Sequence, residues 1–96
     1  MKPADPESYV PRFASDIELS DETELRAKEL LTNAKDKGSH AGKPPVGLAA
    51  AAVYAAALLT KEKTTHAAVS EVADISEVTI RNRYHELLEA ESGLAA

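Results

Sequence analysis

Fourteen consecutive residues, Val46 to Leu59, carry no charge. The run is rich in alanine, with Gly47 near its start and Tyr54 as its one polar-tipped side chain. A bilayer-spanning helix needs about 20 apolar residues, so the run is too short to be one. A helix without a polar face has to be enclosed by other elements. The run therefore predicts a central helix, about 45–60, opened by Pro45 and wrapped by the rest of the chain. Small side chains let helices approach closely, and one Phe, three Tyr and no Trp leave few aromatics to fill a core. These features predict a compact helical bundle.

With 96 residues the chain is long enough for one domain and one modest core. Four further helices are predicted around the hub. The first lies near 6–16, with Asp5 as cap and Pro6 in the first turn. Pro11 is awkward there, so this helix either kinks or begins nearer Tyr9. The second runs about 21–37, capped by Ser20. Asp21 and Glu22 complement its positive end, and Lys35, Lys37 and Gly38 mark its stop. Leu25, Leu30, Leu31 and Ala34 are assigned to its core face. The fourth is short, about 66–73, capped by Thr65, with Val69, Val72 and Ala73 inward. Asp74-Ile75-Ser76 makes a tight turn into the fifth, about 77–90. Val69, Val72 and Val78 sit at helical rather than alternating spacing, which argues against strands. Residues 1–4 are expected to be a flexible leader and 91–96 a flexible tail, around a domain of residues 5–90.

Charge and residue types exclude much. There is no cysteine, so disulfides and thiolate metal sites are ruled out. His40, His66 and His85 lack metal-ligand spacing, and no phosphate-binding glycine loop is present. Neither an enzyme nor a bound cofactor is expected. The start has no apolar signal region, so a cytoplasmic protein with no membrane association is expected. The net charge is −5, but residues 31–70 hold five bases and two acids. An anionic partner should meet the middle of the chain and the two arginines after it.

Two helices separated by three residues suggest a helix-turn-helix over 65–90; an ordinary helical hairpin is the plainer alternative. At about 100° per residue, Ile80, Tyr84, Leu87 and Leu88 form one stripe of the fifth helix, its core face. Val78, Asn82 and His85 point the opposite way, Thr79 and Arg81 flank them, and Ser76 lies at the entrance. An outward β-branched Val78 has little to gain from water. In a major groove it can meet a thymine methyl, while Arg81 pairs with guanine. Glu86 and Glu89 turn the face acidic further on, leaving its N-terminal half for DNA. The plainer reading has Val78 packed on a loop or partner, and Arg81 and Arg83 solvated or paired with Glu77 and Glu86.

These segments also carry a family likeness. Gly42-Lys43-x-x-x-Gly47-x-Ala49-Ala50-Ala51-Ala52-Val53-Tyr54-Ala55-Ala56-Ala57 resembles the repeat signature of TFIIB-type transcription factors. The run from Val72 through Ile75-Ser76-Glu77-Val78-Thr79-Ile80-Arg81 to Tyr84 resembles the end of their second repeat, and Arg12-Phe13-Ala14 also fits. The closest likeness is to the archaeal factors, and the acidic composition suggests a haloarchaeal one. The resemblance implies an all-α, five-helix cyclin-like repeat. It implies promoter DNA, TATA-binding protein and RNA polymerase as partners of a monomer, with the helix-turn-helix on the B recognition element upstream of the TATA box. It places base contacts on Ser76, Val78, Thr79 and Arg81, and backbone contacts on Lys43, Thr65, His66 and His85. Lys61 and Lys63 lie where a backbone would pass, or are solvated helix-end charges.

Two histidines stand at backbone positions that often carry longer polar or basic side chains in the family, and Glu77 adds a negative charge at the groove entrance, where acids recur in the family. With about two to four phosphate contacts, at a salt slope of about −0.9 each, the isolated domain is expected to bind DNA poorly. The family's zinc ribbon and first repeat are absent, so an excised C-terminal domain is expected. The competing function is a protein-docking module of the cyclin-like type, using the apolar third helix without base readout.

Overall fold

The computed structural model describes residues 6–36, 45–62 and 64–92. Five α-helices come after a short 3-10 turn at Pro6–Tyr9. They are α1, Val10–Asp16; α2, Asp21–Asp36; α3, Pro45–Leu59; α4, His66–Ala73; and α5, Glu77–Ser92. There is no strand among the described residues, and none of these helices is long and apolar enough to cross a membrane. The expected all-α, five-helix architecture is the one observed.

The alanine-rich run is the hub. Gly47 to Val53 and Ala55 to Ala57 are all buried in α3, which packs most extensively on α5 and α2. Alanine on every side lets both neighbours come close, and the bulk between them comes from Leu30 and Leu31 of α2 and Ile80 and Leu87 of α5. Only the end of α3 emerges, where Leu58 and Leu59 are exposed.

Pro11 is accommodated by the second of the two expected routes. The α-helix starts at Val10, so the proline falls in its first turn, where a missing N–H costs no hydrogen bond. Val10, Phe13 and Ala14 then face the core. The caps expected at Asp5, Lys37 and Gly38 lie outside the described residues, as do Lys43 and Lys63.

The expected core face of α2 needs one correction. Leu25 is 62% exposed, whereas Thr23, Ala27, Leu30, Leu31 and Ala34 are buried. The helix itself gives the reason: five residues at about 100° each put Leu25 some 140° from Leu30, on the far side. The polar Thr23 takes its place on the inward stripe.

Thr23 can be buried because a distant carboxylate meets it. Ser20 caps α2 as expected, its Oγ accepting from Thr23 N at 3.3 Å. Glu62, in the connection between α3 and α4, adds a second cap from across the molecule. Its Oε1 accepts from Ser20 N at 3.0 Å and its Oε2 from Ser20 Oγ at 2.7 Å and from the Thr23 hydroxyl. Thr60 closes the group, 2.6 Å from Thr23 Oγ1. Glu62 is aimed there by the end of α3. Lys61 adopts a left-handed conformation (φ 63°), and Glu62 N donates back to Ala57 O at 2.8 Å.

These hydrogen bonds, with that from the Thr23 hydroxyl the largest cause, hold the Glu62 carboxyl below its ordinary pKa. A depressed folded value stabilises the fold above the ordinary carboxylate range, near pH 4.3, and the benefit disappears as pH falls through the lowered value. Glu62→Gln is therefore expected to melt at a lower temperature than the parent at neutral pH. The gap should close in thermal unfolding scans taken down to about pH 3. A gap that stays constant across this range would refute the latch.

Candidate nucleic-acid interface

The α4–turn–α5 unit is built by local hydrogen bonds and anchored on α3. Thr65 caps α4, its Oγ1 accepting from Ala68 N at 3.0 Å. Val69 and Ala73 are buried against the hub and Val72 half-buried. The helix ends at Asp74, which takes the left-handed conformation (φ 58°, ψ 46°) while its N–H reaches Ser70 O at 2.8 Å. Ser70 Oγ donates to Ile75 O, clamping the turn. Ser76 then starts α5: its Oγ accepts from Thr79 N at 3.2 Å and lies 2.9 Å from Thr79 Oγ1. The three-residue turn is thus held at both ends.

Ile80 and Leu87 of α5 are buried and Tyr84 and Leu88 half-buried, the predicted core stripe. On the opposite side Val78 is 62% exposed, and Ser76, Glu77, Arg81, Asn82 and His85 are exposed with it. No described segment covers Val78. The Arg81 side chain makes no hydrogen bond or ion pair among the described residues. Arg83 behaves differently: it is half-buried and its Nη1 meets Glu86 Oε1 at 2.5 Å. Of the two arginines, one is displayed and one is tied down.

The expected contact residues are therefore not equivalent. Ser76, Val78 and Arg81 share the outer surface at the start of α5. Thr79 is half-buried, and its methyl carbon turns toward α3, where it would lie 3.4 Å from a Cβ built on Gly47. Its hydroxyl, paired with Ser76, is the part left for an outside partner. Thr65 is exposed, and a capping hydroxyl that accepts an N–H still has its own proton to donate. His66 is half-buried and stacks on Tyr54, with ring centroids 4.2 Å apart and planes 28° apart. Its Nε2 is buried without a hydrogen-bond partner among the described residues, which leaves only the other parts of the ring accessible. Tyr54 also meets Tyr84 edge-on at 5.2 Å, and Tyr84 lies 5.1 Å from His85. This aromatic group joins α3, α4 and α5. Lone histidines at helical positions give no sign of it in sequence. No group able to hold a metal ion occurs among the described residues.

Two helices joined by a three-residue turn are the result, and the second offers a short face with a methyl pair, a hydroxyl and a guanidinium. A family model for the transcription factor TFIIB repeat matches residues 1–90. The chain belongs to the TFIIB repeat family. Curated relatives agree with this. The chain is 84% identical over 91 residues to transcription initiation factor IIB 6 of Halobacterium salinarum, covering 95% of this chain and 28% of that protein. It is 71% identical to transcription initiation factor IIB 2 of Haloferax volcanii, covering 97% of this chain and 28% of that one. Transcription initiation factor IIB of Haloarcula vallismortis is 53% identical, over 94% of this chain and 79% of that protein. The TFIIB repeat thus spans under a third of the first two relatives' length. The suggested archaeal, haloarchaeal resemblance is the one found.

Proposed function

We propose that this TFIIB repeat serves transcription initiation by reading promoter DNA with the start of α5. The observation that carries the reading is the joint exposure of Val78 and Arg81 on a helix whose other side is buried. An exposed β-branched residue beside a guanidinium with no partner among the described residues gains little in water. In a major groove the valine meets a thymine methyl and the arginine a guanine edge. Ser76 and the Thr79 hydroxyl complete the base-reading set. Thr65, His85, Lys43 and the accessible part of His66 take the backbone. The element read is the B recognition element upstream of the TATA box. The domain, residues 5–90 with its helix-turn-helix over 65–90, works as a monomer beside TATA-binding protein and helps orient RNA polymerase. So few cations meet the duplex that affinity depends on this complex.

Protein docking through α3 has less surface to use than its apolar sequence suggests. Ten of its residues are buried, and only Leu58 and Leu59 of its large apolar side chains stay exposed. Amide shift mapping separates the two readings. Titration with TATA-binding protein and a promoter duplex is expected to move resonances of Ser76 to Arg83. Movement confined to Leu58 to Lys61, with the start of α5 unaffected, would replace base readout with docking.

A further inference from the structure

Gly47 stands in the first turn of α3, in a helix that uses alanine at seven of its fifteen positions. Glycine is a much poorer helix former than alanine, and this one has no left-handed backbone to require it. What the position does show is a close approach of α3 to α5. A Cβ here would lie 3.4 Å from Thr79 Cγ2 and 3.9 Å from Arg83 Cγ, both on α5. Both are ordinary contact distances, so a methyl group fits, and a branched side chain directed at α5 has to displace one of these neighbours. The neighbours have little room to give. Thr79 is bound to Ser76 through both its N–H and its hydroxyl, and Arg83 is held by Glu86. Further along, Ile80 and Leu87 pin α5 to the hub. Bulk inserted at Gly47 therefore lifts or rotates the N-terminal end of α5, the end that displays Val78 and Arg81.

We propose that Gly47 is a specificity-determining positioning residue: without touching DNA, it sets the depth and rotation at which the reading end of α5 is presented. The inference rests on the base-readout function proposed above. A packed seam of this kind transmits displacement because interiors yield little.

The test compares the parent chain with Gly47→Ala, Gly47→Val and the double variant Gly47→Val with Thr79→Ser, which removes the obstructing methyl. For each, affinity for a promoter duplex and for one altered in the upstream bases is measured with TATA-binding protein present. Folding is checked by circular dichroism, and the Thr79 environment by amide shifts without DNA. Gly47→Ala is expected to fold with equal or greater thermal stability and to discriminate within about twofold of the parent. Gly47→Val is expected to fold, shift the Ser76 to Arg83 amides, and lose about fivefold or more of the affinity ratio. Binding to the altered duplex should remain. The double variant should regain part of the ratio. A loss of binding to both duplexes in equal proportion, as a merely structural role would produce, overturns the proposal. So does a folded Gly47→Val with the parent ratio. If valine prevents folding, Gly47→Ser makes the same comparison with one added atom beyond the methyl. If the parent itself shows no discrimination, the readout function falls and the Gly47 role with it. A discriminating parent with an insensitive position 47 removes the Gly47 role alone.

Discussion

Arg81→Ala should leave the fold unchanged and erase about 1–3 kcal/mol of discrimination among upstream bases, a loss of about 5- to 150-fold in affinity ratio. The first half of that expectation comes from exposure: the side chain has no hydrogen bond or ion pair among the described residues, and such surface changes stay within about 0.5 kcal/mol. The second half comes from geometry. Arginine can give two parallel hydrogen bonds to guanine O6 and N7, and no described neighbour competes for this guanidinium. Arg83 is the internal control. Its guanidinium is occupied by Glu86 and its stem lies against α3, so Arg83→Ala should alter stability more than base choice. Competition binding with duplexes changed one base at a time, in the presence of TATA-binding protein, measures the ratio. An Arg81→Ala chain with the parent's preferences would rule out readout by this residue.

Ile80→Ala acts on the opposite side of the same helix, and its expected cost is larger. Ile80 is fully buried between α5 and the hub, and the alanines of α3 offer little side-chain freedom to refill a cavity. Truncation of such a residue costs about 2–5 kcal/mol. For a domain of this size that lowers the melting temperature by roughly 10 °C or more. Leu25→Ala removes similar bulk from a side chain that is 62% exposed, and should cost less than about 0.5 kcal/mol. Denaturant unfolding of the two variants distinguishes them directly. Equal destabilisation would contradict the division of these helices into inward and outward faces.

The helix-turn-helix was the most legible part of the chain. Thr65 caps α4 as expected, and Ser76, expected in the turn, also caps α5. The stripe of Ile80, Tyr84 and Leu87 implied an outward Val78, and the structure exposes it. The stops were less legible. Helix ends at Glu18, Lys61 and Asp74 use left-handed residues that are not glycine, so the usual punctuation is missing. In each case the next residue along favours that conformation: Leu19 and Ile75 turn back onto the core, and Glu62 onto α2.

The order of residues along the chain determined whatever repeats within a few turns of helix. It settled the number of helices, the starts of all but the first, the apolar hub and the side of α5 that faces out, because periodicity and caps depend on neighbours three or four positions away. Tertiary packing alone decided which distant groups would meet. Thr23 is buried because Glu62 arrives 39 residues later to accept its proton. The His66 ring is drawn onto Tyr54, and Thr79 of another helix stands over Gly47. Such pairings depend on how closely two helices approach and at what rotation. That is fixed by the summed volumes of the whole core, which no local pattern records.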